Sequence, residues 1–162
     1  MRPAVPSDVP FILQMIRALA DYEREPQEVT ITVDELLRDG FADKPLFQCL
    51  ILELDKISVG FALYYNRYST WKGKTLYLED LFVVPEARGQ GLGKLAMVEL
   101  ARIAHDSGCV RFEWQVLDWN QPAIDFYKSF GTSLQPQWVT CRLDKQGLAE
   151  LARGSTSQNE TI

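Results

Sequence analysis

The sequence predicts an α+β (mixed α/β) fold with one central, mostly antiparallel sheet flanked by helices. Three β-rich runs between residues 47 and 84 follow one another across short turns, the pattern of an antiparallel meander. The segments on either side carry apolar residues at a 3.6-residue period instead. Strand and helix then alternate toward the C-terminus, which gives the order βααβββαβαβ.

Residues 1–4 read as the stub of a first strand. Ser7 and Asp8 before Pro10 mark a helix start, because proline is tolerated in the first turn. A helix from about 8 to 24 puts Phe11, Ile12, Met15, Ile16 and Leu19 on one face. Thr32 and Glu35 have the spacing of a capping box, opening a short helix that Gly40 closes. The meander consists of FQCLILEL (47–54), ISVGFALYYNRY (57–68) and TLYLEDLFVV (75–84), turned at Asp55-Lys56 and at Trp71–Lys74. A helix over 91–107 carries Leu92, Ala96, Leu100 and Ile103 on a stripe that Glu99 interrupts. VRFEWQVL (110–117) reads as a strand, QPAIDFYKSF (121–130) as a helix and WVTCRL (138–143) as a last strand, with Asp144 capping a short final helix. No linker splits residues 1–153, which are expected to be one domain; the polar tail 154–162 is expected to be mobile.

At 162 residues the chain can bury a core without metals or disulfides. Its formal net charge of −5 argues against nucleic-acid binding, which needs clustered Lys and Arg, and suits cationic partners better. Cys49, Cys109 and Cys141 form no CxxC pair, and a single histidine, His105, supplies no cluster, so no metal site is expected. Odd, scattered cysteines fit a reduced, cytoplasmic setting. No segment approaches membrane-spanning length, and no membrane partner is expected.

The stretch EARGQGLGK (86–94) places three glycines in five positions between a strand and a helix. It is not a Walker A loop, since Lys94 is followed by Leu95 rather than Ser or Thr. It is not a dinucleotide fingerprint either, because position 94 is lysine and the strands before it are antiparallel. What remains is RxxGxG, Arg88 to Gly93, at a helix start. Consecutive amides there make an anion site, with a tight turn needing positive φ as the alternative reading of the glycines.

A second cluster, WNQPAIDFYKSFG (119–131), lies downstream. Together the two resemble the GCN5-related N-acetyltransferase superfamily across nearly the whole chain. YSTWKGKTLYLEDLFVVPEARGQGLG with VLDWNQPAIDFYKSFG is similar to its spermidine/spermine N-acetyltransferase group, nearest the thialysine-acetylating branch. The resemblance implies acetyl-CoA as co-substrate, acetyl transfer to a primary amine, and a homodimer. It implies cofactor contacts from Leu81, Phe82 and Val83 beside the pantetheine, from Gly89, Gln90, Gly91, Leu92, Gly93 and Lys94 around the pyrophosphate, and from Asn120, Gln121, Pro122, Ala123 and Tyr127 near the thioester. Arg88 is assigned either to phosphate or to a surface carboxylate.

An alkylammonium of pKa about 10.4 must lose a proton before it attacks, at a cost of about 4–5 kcal/mol near neutral pH. The resemblance makes Glu79 the carboxylate that accepts this proton or binds the cation, both roles remaining open. Asp80 points to the opposite face if the strand is regular. Tyr127 is the candidate acid for the departing sulfur, against the alternative of a tyrosine packed in the core. The resemblance also implies a polarising backbone N–H near Leu81–Val83.

Tyr22 and Glu23 match the amine-contacting pair after the first helix. Ser69 stands where the polyamine-specific branch has an aspartate, and QPQW (135–138) lacks that branch's glutamate. Both departures remove negative charge, so a lysine analogue such as thialysine, or a short diamine, is expected over spermidine and spermine. An acetyltransferase for protein lysines or N-termini, and a non-catalytic acyl-CoA sensor, are the alternatives.

Overall fold

A computed structural model describes residues 1–154. The chain divides into two compact units, Met1–Gln115 and Val116 onward. From residue 155 the expected tail lies outside the described residues.

The first unit is built on a five-stranded sheet in the order β1-β2-β3-β4-β5, so that each strand lies beside its neighbour in sequence. β1 (Arg2–Pro3), β2 (Gln48–Leu54), β3 (Ile57–Ser69) and β4 (Gly73–Val83) are antiparallel; β5 (Arg111–Glu113) joins β4 in parallel. Asp55 and Lys56 turn β2 into β3 with φ of 50° and 67°, the two left-handed residues that match a hairpin's twist. The two-residue β1 is pinned by a charge cluster. Arg2 donates to both oxygens of Asp8 at 2.6 and 2.8 Å and to Glu53 at 3.1 Å. Asp8 also accepts from the Val5 amide at 2.8 Å, and the Arg2 bond holds its carboxyl below the usual carboxylate range.

α1 (Val9–Glu23) begins after Asp8 with Pro10 in its first turn, and it buries Val9, Ile12, Leu13 and Met15. Burying each such side chain contributes roughly 1.5–3 kcal/mol. Ile12 and Met15 pack with Cys49, Ile51, Phe61, Leu63 and Phe82 of the sheet. Val9 and Leu13 pack instead on Leu36 of α2 (Val33–Phe41). The Thr32–Glu35 capping box forms as expected. Gly40 does not close α2 but lies inside it, and a Cβ there would run into the Phe47 ring. Close packing, not a left-handed cap, requires that glycine. α3 (Leu92–Asp106) packs on β2, β4 and β5, burying Ala96, Met97, Leu100 and Ala104. Glu99, which interrupts the stripe, is held by Arg102 one turn on.

The strand expected over 110–117 is only Arg111–Glu113. Its parallel register runs from Thr75↔Arg111 to Tyr77↔Glu113 and stops where β4 becomes irregular. In the second unit, α4 (Gln121–Lys128) and α5 (Lys145–Ala152) form, the latter capped by Asp144 as expected. Residues 138–143 are not a strand, and Trp138 and Val139 are exposed. β-rich composition makes a strand only where a sheet edge pairs with it.

Gly60 lies opposite Val83, and a Cβ at this position would collide with the Phe82 carbonyl and approach the Val83 Cα. Gly60→Ala is expected to lower stability by about 1–3 kcal/mol, the usual cost of overpacking against atoms that cannot yield. Urea denaturation of the two proteins measures it.

Candidate active site

The irregularity in β4 organises the site. Leu63 pairs with Asp80 and Tyr64 pairs with Leu78, which leaves Glu79 as an extra, unpaired residue, a β-bulge. The bulge resets the alternation of side chains. Before it, Leu76 and the Leu78 partner Tyr64 are on the α3 side, where Leu76 and Tyr64 share a cavity wall with Ile103. After it, Asp80 lies opposite Leu63 and Phe82 opposite Phe61, on the face that α1 covers. Tyr65, paired with Tyr77 and alternating with Tyr64, also lies on the α1 side, and its hydroxyl donates to Glu79 at 3.1 Å. The regular strand that would separate Glu79 from Asp80 is therefore absent, and both carboxylates serve one face.

Glu23, at the end of α1, adds a third. Burial pushes the Glu23 carboxyl upward. Burial first, then the charges of Glu79 and Glu23, pushes Asp80 up to about 7. Burial and the neighbouring Glu79 likewise push the Tyr65 hydroxyl to about 12. Like charges brought together out of water cost free energy that a bound cation would relieve. Asp80 is the residue that sequence reasoning left out of the site. LYLED shows two adjacent acids, but nothing in it marks the bulge that aligns them.

Beyond Tyr77, no strand among the described residues pairs with the outer side of β4. The Val84 amide bonds Val59 of β3 at 2.9 Å, so by antiparallel alternation Leu81 and Val83 turn their backbone groups outward. The Val83 carbonyl is taken by Arg88 Nε at 2.9 Å, and the outward amides of Leu81 and Val83 face the parted edge. Gly89 and Gly91 follow with φ of 77° and 80°, whereas Gly93 is already helical. Two of the three glycines thus serve the turn. Gly91 is the N-cap of α3 and brings no side chain to cover the first amides of that helix, Leu92, Gly93 and Lys94. Both explanations of the glycines hold together: the left-handed turns shape a row of amides suited to an anion.

Among the described residues Arg88 pairs with no carboxylate, and its side chain folds back onto the protein. Its guanidinium stands 5.2 Å from the Tyr22 ring centre and 5.4 Å from that of Phe82. In the second unit, Asn120 is buried and caps α4, its side chain accepting from the Ala123 amide at 3.3 Å. Gln121 and Pro122 form the first turn of the helix, and Tyr127 sits half-buried near its end, its ring 5.2 Å from Phe126. A cavity of about 430 Å³ near the start of β4 and the end of α3 is lined by none of the sequence-predicted site residues.

The fourth strand of the sheet thus parts from the fifth, and a glycine turn leads from it into the N-terminus of α3. A model of the acetyltransferase (GNAT) family matches residues 12–132, and the chain belongs to that family: it is an acetyl-CoA-dependent N-acetyltransferase. The chain is similar to thialysine N-epsilon-acetyltransferase of Sus scrofa, 40% identical over 163 residues that cover 94% of this chain and 96% of that protein. It is 38% identical over 162 residues to human spermidine/spermine N(1)-acetyltransferase-like protein 1, a longer protein of which the match covers 23%. A V. cholerae integron cassette protein shares the fold at a TM-score of 0.76, with 26% identity, covering 94% of this chain and 96% of that one. The family and fold expected from RxxGxG and WNQPAIDFY are thereby borne out.

The raised Asp80 carboxyl has a measurable sign. The unfolded chain releases that proton near pH 4, the folded chain near pH 7. Between those values the folded state holds the extra proton, so stability falls as pH rises through the window. Asp80→Asn is expected to flatten that slope, gaining on the wild type in urea denaturation at pH 8 and less at pH 4.5.

Proposed function

We propose that the enzyme acetylates the primary amine of a small molecule, a lysine analogue such as thialysine or a short diamine in preference to spermidine or spermine. Transfer occurs by direct attack within a ternary complex. The observation that carries the choice of a cationic substrate is the trio Glu23, Glu79 and Asp80 serving one face. The similarity to thialysine acetyltransferases supports the substrate class.

In this reading the amide row from Gly89 through Lys94 binds the pyrophosphate of acetyl-CoA. The parted edge of β4 at Leu81–Val83 lies along the pantetheine, and Asn120 through Ala123 flank its thioester end. Tyr22 and Glu23 hold the amine. Glu79 accepts the ammonium proton, directly or through water, with Asp80 next to it as a carboxyl suited to neutral pH. The neutral nitrogen attacks the thioester carbonyl carbon. Charge developing on that oxygen meets the outward amides of Leu81 and Val83. As the C–S bond breaks, Tyr127 protonates the sulfur, and the second proton leaving the nitrogen passes through water to restore the Tyr127 hydroxyl.

Ser69 supports the preference for short amines. It pairs with Gly73 at the tip of the β3–β4 hairpin, roughly 20 Å of strand from Glu79. A second charge there would serve only a long substrate, and serine supplies none. The exposed Trp138 and Val139 fit the homodimer that the family resemblance implies.

Release of CoA thiol across thialysine, lysine, short diamines, spermidine, spermine and a lysine peptide tests this reading. Thialysine or a short diamine is expected to show the highest kcat/KM; a peptide or spermidine in first place would overturn the substrate assignment. Tyr127→Phe is expected to lower kcat by about ten- to a hundredfold, because the thiolate is already a fair leaving group. Its acetyl-CoA affinity should be largely spared, as calorimetry would read.

A further inference from the structure

Arg88 reaches a backbone carbonyl and two aromatic rings. Its Nε–H is committed to the outward Val83 carbonyl at 2.9 Å, and its guanidinium lies 5.2 Å from the Tyr22 ring centre and 5.4 Å from that of Phe82. Phe82 is 5% exposed and belongs to the packed core, so one side of this arrangement is fixed. Tyr22 is 39% exposed and lies in the last turn of α1, just before Arg24 takes a left-handed conformation and ends the helix. Last turns fray readily, because their carbonyls lack helical partners.

The backbone of Arg88 is itself held. Ala87 is buried, and the Ala87 and Arg88 amides bond Val84 and Pro85 in a tight turn at 3.0 and 3.2 Å. The next residue, Gly89, begins the left-handed stretch that leads to the amide row of α3. Arg88 therefore stands at the junction of two regions: its backbone adjoins the cofactor loop, and its side chain reaches the end of α1. The contact demands arginine. A planar guanidinium can face aromatic rings while Nε–H donates along one direction, and an ammonium cannot do both.

We propose that Arg88 is a positioning residue for Tyr22, clamping the end of α1 to β4 so that the cofactor loop also sets the wall of the amine site. The inference rests on the assignment of Tyr22 to the amine. It makes amine affinity depend on a residue of the glycine loop, and it couples the two substrates, since any change the cofactor imposes on the loop passes through Arg88 to Tyr22. Such coupling is reciprocal for binding.

Kinetics at saturating acetyl-CoA, where loss of cofactor affinity no longer counts, test the clamp with thialysine as the varied substrate. Arg88→Gln is expected to raise the thialysine KM roughly three- to tenfold with kcat little altered. Arg88→Lys, which keeps the charge, should do the same. In a Tyr22→Phe background, which retains the ring, the Arg88→Gln penalty should persist; in Tyr22→Leu it should vanish, as a double-mutant cycle requires. A penalty confined to the acetyl-CoA KM, or one unchanged in Tyr22→Leu, overturns the proposal. A second arm needs no turnover: the Tyr22 ring resonances of ¹³C-tyrosine-labelled protein should shift in Arg88→Lys while those of Tyr64 stay. Tyr22 resonances that stay put overturn the clamp. A wild type that turns over no amine at all defeats the proposed function instead, and the resonance arm still decides the clamp.

Discussion

Past Tyr77, β4 pairs with β3 alone among the described strands, because the parallel ladder with β5 ends at Glu113. A strand at mid-sheet normally spends its peptide groups on both neighbours, and those of Leu81 and Val83 are released from that duty on one side. The bulge at Glu79 stands at the point where the strands part, and bulges both end pairing and re-aim side chains. Groups held by a sheet are already ordered and lose little entropy when they bind a ligand.

Charge is arranged around the same split. Three carboxylates, Glu23, Glu79 and Asp80, come from two elements that are far apart in sequence. Burial raises Asp80 toward neutrality, so this group can hold or release a proton near physiological pH, as a carboxylate in water cannot. Opposite to them in sign is Arg88, engaged with the Tyr22 and Phe82 rings and the Val83 carbonyl. Nothing in the strongly acidic composition of residues 21–43 singles out Glu23; Asp39, for one, makes a local surface pair with Arg38.

Much of the fold was legible because its signals are local. The period of α1 and α3, the Thr32–Glu35 capping box and the two-residue turn at Asp55-Lys56 each depend on residues a few positions apart. The glycine loop was legible for the same reason, and its φ values show why two of its three glycines are needed. What escaped was non-local. β5 is short because β4 leaves it, a fact about a different strand, and residues 138–143 are strand-like in composition without a sheet edge to make them one. Gly40 looked like a helix stop because the Phe47 ring that requires it lies in another element. Asp80 was misplaced for the subtlest reason: the bulge that aligns it with Glu79 contains no glycine and leaves no mark in LYLED.

The bulge also divides β4 in a way that bears on how such a strand can change. Upstream, even-numbered residues such as Leu76 serve one layer of the molecule; downstream, even-numbered residues such as Asp80 and Phe82 serve the other. The two halves have opposite parity and behave as two short strands joined end to end. Loss of the single residue Glu79 would leave a regular strand in which both halves keep their present faces, because Leu78 and Asp80 would then be neighbours on opposite sides. A residue inserted or deleted within either half, tolerated in most loops, would instead exchange the side chains of one layer for those of the other, so each half can evolve by substitution but scarcely by a change in length.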